Sequence, residues 1–126
     1  MAPILTTICI VASASPLLSA EDTIQPGATC IYAVSMVEGI DYWVILHLDR
    51  TEQDFDLVVA SREMDLDRFM SLPYREDYHY AREHAIAEGI REGPEDFTLT
   101  APYTGTAYLV IHDVGETGGG YLLELY

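Results

Sequence analysis

The sequence has no lysine. Its six basic side chains are all arginine, they stand against 21 Asp and Glu, and the formal net charge is −15. A surface of that sign repels phosphate backbones and anionic lipid headgroups, whose recognition rests on Lys/Arg clusters, so nucleic acid is excluded as a partner. Charge of either sign is also missing from residues 1 to 20, MAPILTTICIVASASPLLSA, and the first charged residue is Glu21. Cysteine is scarce. With only Cys9 and Cys30, neither a four-cysteine zinc site nor a Cys-x-x-Cys redox pair can form.

Catalytic signatures are missing too. No Gly-x-Ser-x-Gly elbow occurs, and His79 and His84 stand five apart where a zinc protease needs His-Glu-x-x-His, four apart on one helical face. GETGGGY, at 115 to 121, lacks the Lys of a phosphate-binding loop and is expected to be a hairpin turn that needs positive φ. The remaining histidines, His47 and His112, fall on strands opposite the expected core face, where they face solvent or meet if their strands pair. These absences weigh against an enzyme.

What is present is a series of short apolar strands. At 126 residues the chain fits one domain with one core, and no internal repeat divides it. Strands are expected over 30 to 36, 41 to 48, 55 to 61, 96 to 101, 106 to 113 and 120 to 126, all rich in β-branched and aromatic residues and bounded by Gly/Pro turns. In the second of these, Tyr42, Val44, Leu46 and Leu48 share one face while Trp43, Ile45 and His47 share the other. This spacing predicts an all-β, antiparallel β-sandwich. The exception is the stretch 62 to 92, where Tyr74, Tyr78, Ala81, Ala85 and Ile86 recur at three- and four-residue intervals and predict one short helical insertion over about 74 to 91.

Two groups of side chains are candidates for binding. Asp54 and Asp56 at a strand entrance, and Asp113 with Glu116 beside the Gly-rich turn, are candidate ligands for a hard cation such as Ca²⁺. No EF-hand spacing is present, and the competing role is hydrogen bonding to turn amides, so no cofactor is required. Among the nine tyrosines and one tryptophan, Trp43, Tyr108 and Tyr126 are candidates for an exposed binding surface; the competing role is packing beneath the helical segment.

The runs QPGATCIYAVSMVEGIDYWVILHLDRTEQDFDLVVAS and EDFTLTAPYTGTAYLVIHDVGETGGGYLLELY resemble the two halves of the bacterial pre-peptidase C-terminal domain. The likeness covers about residues 24 to 61 and 95 to 126 and lies in the order of a Pro-Gly turn, a Tyr-bearing strand, an Asp-Phe-Asp-Leu strand, an Ala-Pro-x-x-Gly-Thr turn and a closing Gly-Tyr-x-Leu strand. It implies a secreted, jelly-roll-like, non-catalytic β-sandwich of a family in which some members bind calcium or extracellular polymers. The longer, helical middle segment departs from that pattern.

Residues 1 to 20 remain, ahead of a sandwich domain at 21 to 126. As an export signal the segment has an apolar middle and a small-residue end, Leu18-Ser19-Ala20, but no basic start. As a strand it places Ile4, Thr6, Ile8 and Ile10 on one face and Leu5, Thr7, Cys9 and Val11 on the other, so it needs apolar cover on both sides. Retention would also give Cys30 a disulfide partner in Cys9. The leading expectation is an extracellular structural module that self-assembles into a homo-oligomer or filament through an assembly strand carrying Ile4, Leu5, Ile8, Ile10 and Val11. The alternative is a monomeric secreted binding module for a polymer or protein, with or without Ca²⁺. Neither carries a membrane span in its mature form.

Overall fold

A computed structural model describes residues 16–90 and 94–126. Two four-stranded antiparallel sheets face each other, one ordered β1-β8-β3-β6 and the other β2-β7-β4-β5. Sheet A holds β1 (Leu18–Ile24), β3 (Asp41–Leu48), β6 (Glu95–Thr100) and β8 (Gly119–Leu125); sheet B holds β2 (Thr29–Met36), β4 (Phe55–Ala60), β5 (Ala85–Gly89) and β7 (Gly105–Asp113). Every connection except that from β4 to β5 carries the chain from one sheet to the other. The all-β sandwich expected from strand spacing is therefore the observed fold.

Period-two alternation builds the core. Tyr42, Val44 and Leu46 of β3 and Tyr121, Leu123 and Leu125 of β8 meet Phe55, Leu57 and Val59 of β4 and Ala107, Leu109 and Ile111 of β7, all buried. Strand β4 is apolar on its other face as well, where Val58 and Ala60 are buried together with Val110 of β7. A strand apolar on both faces needs a second layer. That layer is the chain between β4 and β5, which forms α1 (Leu66–Ser71) and α2 (Glu76–Arg82) and sets Met64, Phe69, Tyr78 and Ala81 against those side chains.

The helical insertion differs from the expected 74 to 91. Two single helices replace one, and Ala85–Gly89 is a strand, β5, paired antiparallel with Leu57 to Ala60. The three- and four-residue spacing holds only as far as Ala81; beyond it, pairing with β4 outweighs local helical periodicity. Tyr74 is exposed at 63% and is not part of the packed face. Helix α1 begins at Asp65, whose side chain accepts from the Arg68 amide at 3.2 Å. Strand β1 spans the Ala20/Glu21 junction and pairs from Leu18 to Ile24 with β8.

The Gly-rich turn is also not a hairpin, because β7 and β8 lie in different sheets. It is a crossover with Gly118 at φ 66° and Gly119 at φ 129°. Asp113, fully buried, holds this joint: Oδ2 accepts from the Gly118 amide at 2.6 Å and from the Gly27 amide in the β1–β2 turn at 3.1 Å, while its own amide donates to Ala28 O at 3.0 Å. Replacing it strands two amides in a dry environment. Asp113→Ala is expected to lower unfolding free energy by about 3 kcal/mol in denaturant titration, and Asp113→Asn, which keeps an acceptor oxygen, by less.

Candidate functional site

The outer faces of the two sheets differ. On sheet A, alternation sends Trp43, Ile45 and His47 of β3 outward with Leu122 and Glu124 of β8, and Tyr126 follows on the same side. Trp43 and Tyr126 exchange both backbone hydrogen bonds, N to O at 3.1 and 2.9 Å, which sets their rings side by side with centroids 5.6 Å apart at 38°. Trp43 keeps 44% of its surface exposed.

The polar tips of both rings are tied down. Trp43 Nε1–H donates to Asp96 Oδ1 at 2.5 Å, and the Tyr126 hydroxyl donates to Glu124 Oε2 at 3.0 Å. The other oxygen of Glu124 meets His47 Nε2 at 2.8 Å. These bonds from His47 and Tyr126 hold the Glu124 carboxyl below the usual carboxylate range, so it stays an acceptor. The result is a pre-set row, Asp96, Trp43, Tyr126, Glu124 and His47, across a face that no other element covers among the described residues.

On sheet B the helices leave a cleft of roughly 250 Å³ between α2 and the ends of β4 and β7. Its floor is the Tyr78 ring stacked on the His112 imidazole, 4.9 Å between centroids and 13° from parallel. The Thr29 hydroxyl gives its one proton to Asp77 Oδ1 at 2.9 Å, so it accepts from His112 Nδ1–H at 2.8 Å, which assigns the tautomer. Burial lowers the His112 pKa, against the pull of the neighbouring Asp77 and Asp113 carboxylates. The Tyr78 hydroxyl donates to Asp56 Oδ2 at 3.3 Å. Burial, then the neighbouring Asp54 charge, raise the Asp56 pKa to about 6.

The residues singled out in the sequence are thus only partly gathered. Trp43 and Tyr126 meet, whereas Tyr108 lies on the other sheet, half-buried against the helices. His47 and His112 do not meet either, since β3 and β7 belong to different sheets, and His112 is buried. Of the carboxylates proposed for calcium, Asp113 is bonded to turn amides, Asp56 to Tyr78, and Glu116 lines the cleft. Among the described residues no three His, Cys, Asp or Glu side chains stand together as a metal ion would require. Cys30 faces inward with Sγ 3.3 Å from the Tyr121 hydroxyl, its pKa raised by burial. Cys9 and the assembly-strand residues Ile4, Leu5, Ile8, Ile10 and Val11 lie outside the described residues.

Sequence reading missed Asp96 and Glu124 as ring partners, and it missed the cleft. One signal was available: Arg75, His79, Arg82 and His84 crowd into ten positions of a chain with six arginines and four histidines.

The sandwich of two four-stranded antiparallel sheets is a fold that solved structures share. The pre-peptidase C-terminal domain of a collagenase from Bacillus anthracis matches with a TM-score of 0.61 at 15% identity, over 86% of this chain and 88% of that one. The Yersinia pseudotuberculosis-derived mitogen matches at 0.58 and 12% identity, over 88% and 86%. PliG of Aeromonas hydrophila, a periplasmic inhibitor of g-type lysozyme, matches at 0.53 and 11% identity, over 90% and 85%. No family model matches the chain, and no curated protein matches it in sequence. The likeness to the pre-peptidase C-terminal domain is one of fold. Among the described residues no helix is long and apolar enough to cross a membrane.

The raised Asp56 pKa has a consequence for stability. Unfolded aspartate loses its proton near about 3.9, the folded one at about 6, so the folded state holds more protons in between. Stability is therefore expected to fall as pH rises from about 4 to about 6 and to stay lower above that. Asp56→Asn should flatten this portion of the pH profile and stabilise the protein at pH 7 by about 1 kcal/mol, after allowance for solvent screening of a half-buried group. Melting temperatures measured from pH 4 to pH 7 check both.

Proposed function

We propose that this protein is a non-catalytic binding module acting outside the cytoplasm, and that the outer face of sheet A recognises an extracellular polysaccharide. The observation that carries this reading is the Trp43–Tyr126 ring pair on the outer face of sheet A, with Trp43 exposed and Tyr126 half-buried, flanked by carboxylates already fixed as acceptors. Adjacent rings offer an apolar platform to the flat face of a sugar, and Asp96 and Glu124 stand at its margins to accept sugar hydroxyls. Tethered rings lose little freedom on binding. The fold shared with a domain of a collagenase and with a periplasmic lysozyme inhibitor supports the non-catalytic, extracytoplasmic part of the reading.

Co-sedimentation of the full chain with cellulose, chitin and peptidoglycan sacculi tests it. At least one polymer should retain the protein, and Trp43→Ala should weaken retention about tenfold or more while the melting temperature hardly moves. Retention by none of the three, or retention indifferent to Trp43→Ala, contradicts the reading.

A second reading, self-assembly by strand addition, draws on the edge of sheet B. Among the described residues β2 pairs only with β7, and its free side adjoins a groove lined by Leu17, Leu18, Ala33, Val34, Ser35 and Leu125. A segment apolar on both faces, such as Ile4 to Val11 of a second copy, suits such an edge. Light scattering of the chain with and without residues 1 to 15 separates the cases: assembly lost on deletion supports strand addition, and equal mass contradicts it.

A further inference from the structure

The cleft under α2 is not used by the sheet A face, and its composition runs against that of the chain. In a molecule of net charge −15, two of six arginines and two of four histidines line this one space. Arg82 is engaged by Glu88 at 2.7 Å. Arg75 makes no ion pair among the described residues, and neither does Glu116, which also lines the cleft.

Backbone geometry singles out the same two residues. Among the described residues only two non-glycine positions have positive φ, Arg75 at 80° and Glu116 at 59°. Both line the cleft. Glycine would occupy either position without strain, yet the positions carry long side chains of opposite charge. The Arg75 amide donates to Asp77 Oδ1 at 3.1 Å, and the same oxygen accepts from Thr29 on β2, so the strained residue is anchored to the sheet. At roughly 30 Å³ per water, the volume of about 250 Å³ is that of a small ligand.

We propose that this cleft binds a zwitterion of amino-acid or dipeptide size, its carboxylate against the Arg75 guanidinium beside His79 and its ammonium group against Glu116 and Asp56. A simple anion would face Glu116 and Asp56, and a simple cation would face Arg75 and Arg82. Only a ligand carrying both signs satisfies both kinds of lining charge. The stacked Tyr78 and His112 rings supply an apolar floor for the intervening carbon atoms. The Asp56 carboxyl, whose charge burial disfavours, gains a counter-ion when the ammonium group arrives.

Amide chemical-shift titration of the full chain with L-alanyl-L-alanine, with acetate and with methylammonium provides the test. Saturable shifts confined to residues around Asp56, Tyr78 and Glu116 are expected with the dipeptide, at least tenfold tighter than with either single-charge probe. Arg75→Gly should weaken the dipeptide at least tenfold while leaving the melting temperature equal or higher, because glycine relieves the strain. Glu116→Gln should weaken the dipeptide and tighten acetate, which no longer faces that carboxylate. Binding of acetate as tight as that of the dipeptide overturns the proposal, as does an absence of shifts or full dipeptide affinity in Arg75→Gly.

Discussion

The fold turns on a single buried carboxylate. Asp113 ends β7, one of the two inner strands of sheet B, and the next strand, β8, is one of the two inner strands of sheet A. One oxygen of Asp113 accepts from the amides of Gly118 and Gly27, so the β7–β8 crossover and the β1–β2 turn are closed by the same group. A buried carboxyl oxygen is costly unless it is hydrogen-bonded, and Oδ2 takes both of these bonds. With that joint closed, β8 lies between β1 and β3 in the register that brings Tyr126 beside Trp43.

From there the two faces diverge for a compositional reason. Sheet A alternates apolar and polar residues, so one face joins the core and the other meets solvent with a ring pair and its carboxylates. Sheet B contains β4, with Leu57, Val58, Val59 and Ala60 all buried, and so draws the chain between β4 and β5 over itself. Tyr78 serves both purposes there: its ring fills the layer between helix and sheet, and its hydroxyl reaches Asp56 at the cleft. The chain thus offers an aromatic pair on one side and a small charged recess on the other.

Much of this was legible in the sequence, and the misses have physical causes. The alternation of Tyr42, Val44 and Leu46 with Trp43 and His47 showed both faces of β3 directly. Trp43 and Tyr126 could each be named as exposed aromatics, but their adjacency depends on how β3 and β8 pair, which no local pattern carries. The helical spacing of Tyr78 and Ala81 was real, and its extension through Ala85 and Ile86 failed because sheet B needed an edge strand there. Asp113 was a candidate cation ligand with hydrogen bonding to turn amides as the competing role, and the second is the one observed: one partner, Gly118, is only five residues on, while the other, Gly27, is remote in sequence. The strained backbones of Arg75 and Glu116 leave no trace in residue type, because glycine is the residue those conformations favour.

Trp43 is the only tryptophan in the chain, so its fluorescence reports on the sheet A face without labelling. The most direct measurement is its emission during titration with a soluble oligosaccharide cut from whichever polymer retains the protein. Polysaccharide recognition by the Trp43–Tyr126 pair predicts a saturable blue shift as the exposed ring is covered. Unchanged emission while the oligosaccharide binds would place the binding surface elsewhere and contradict the assignment.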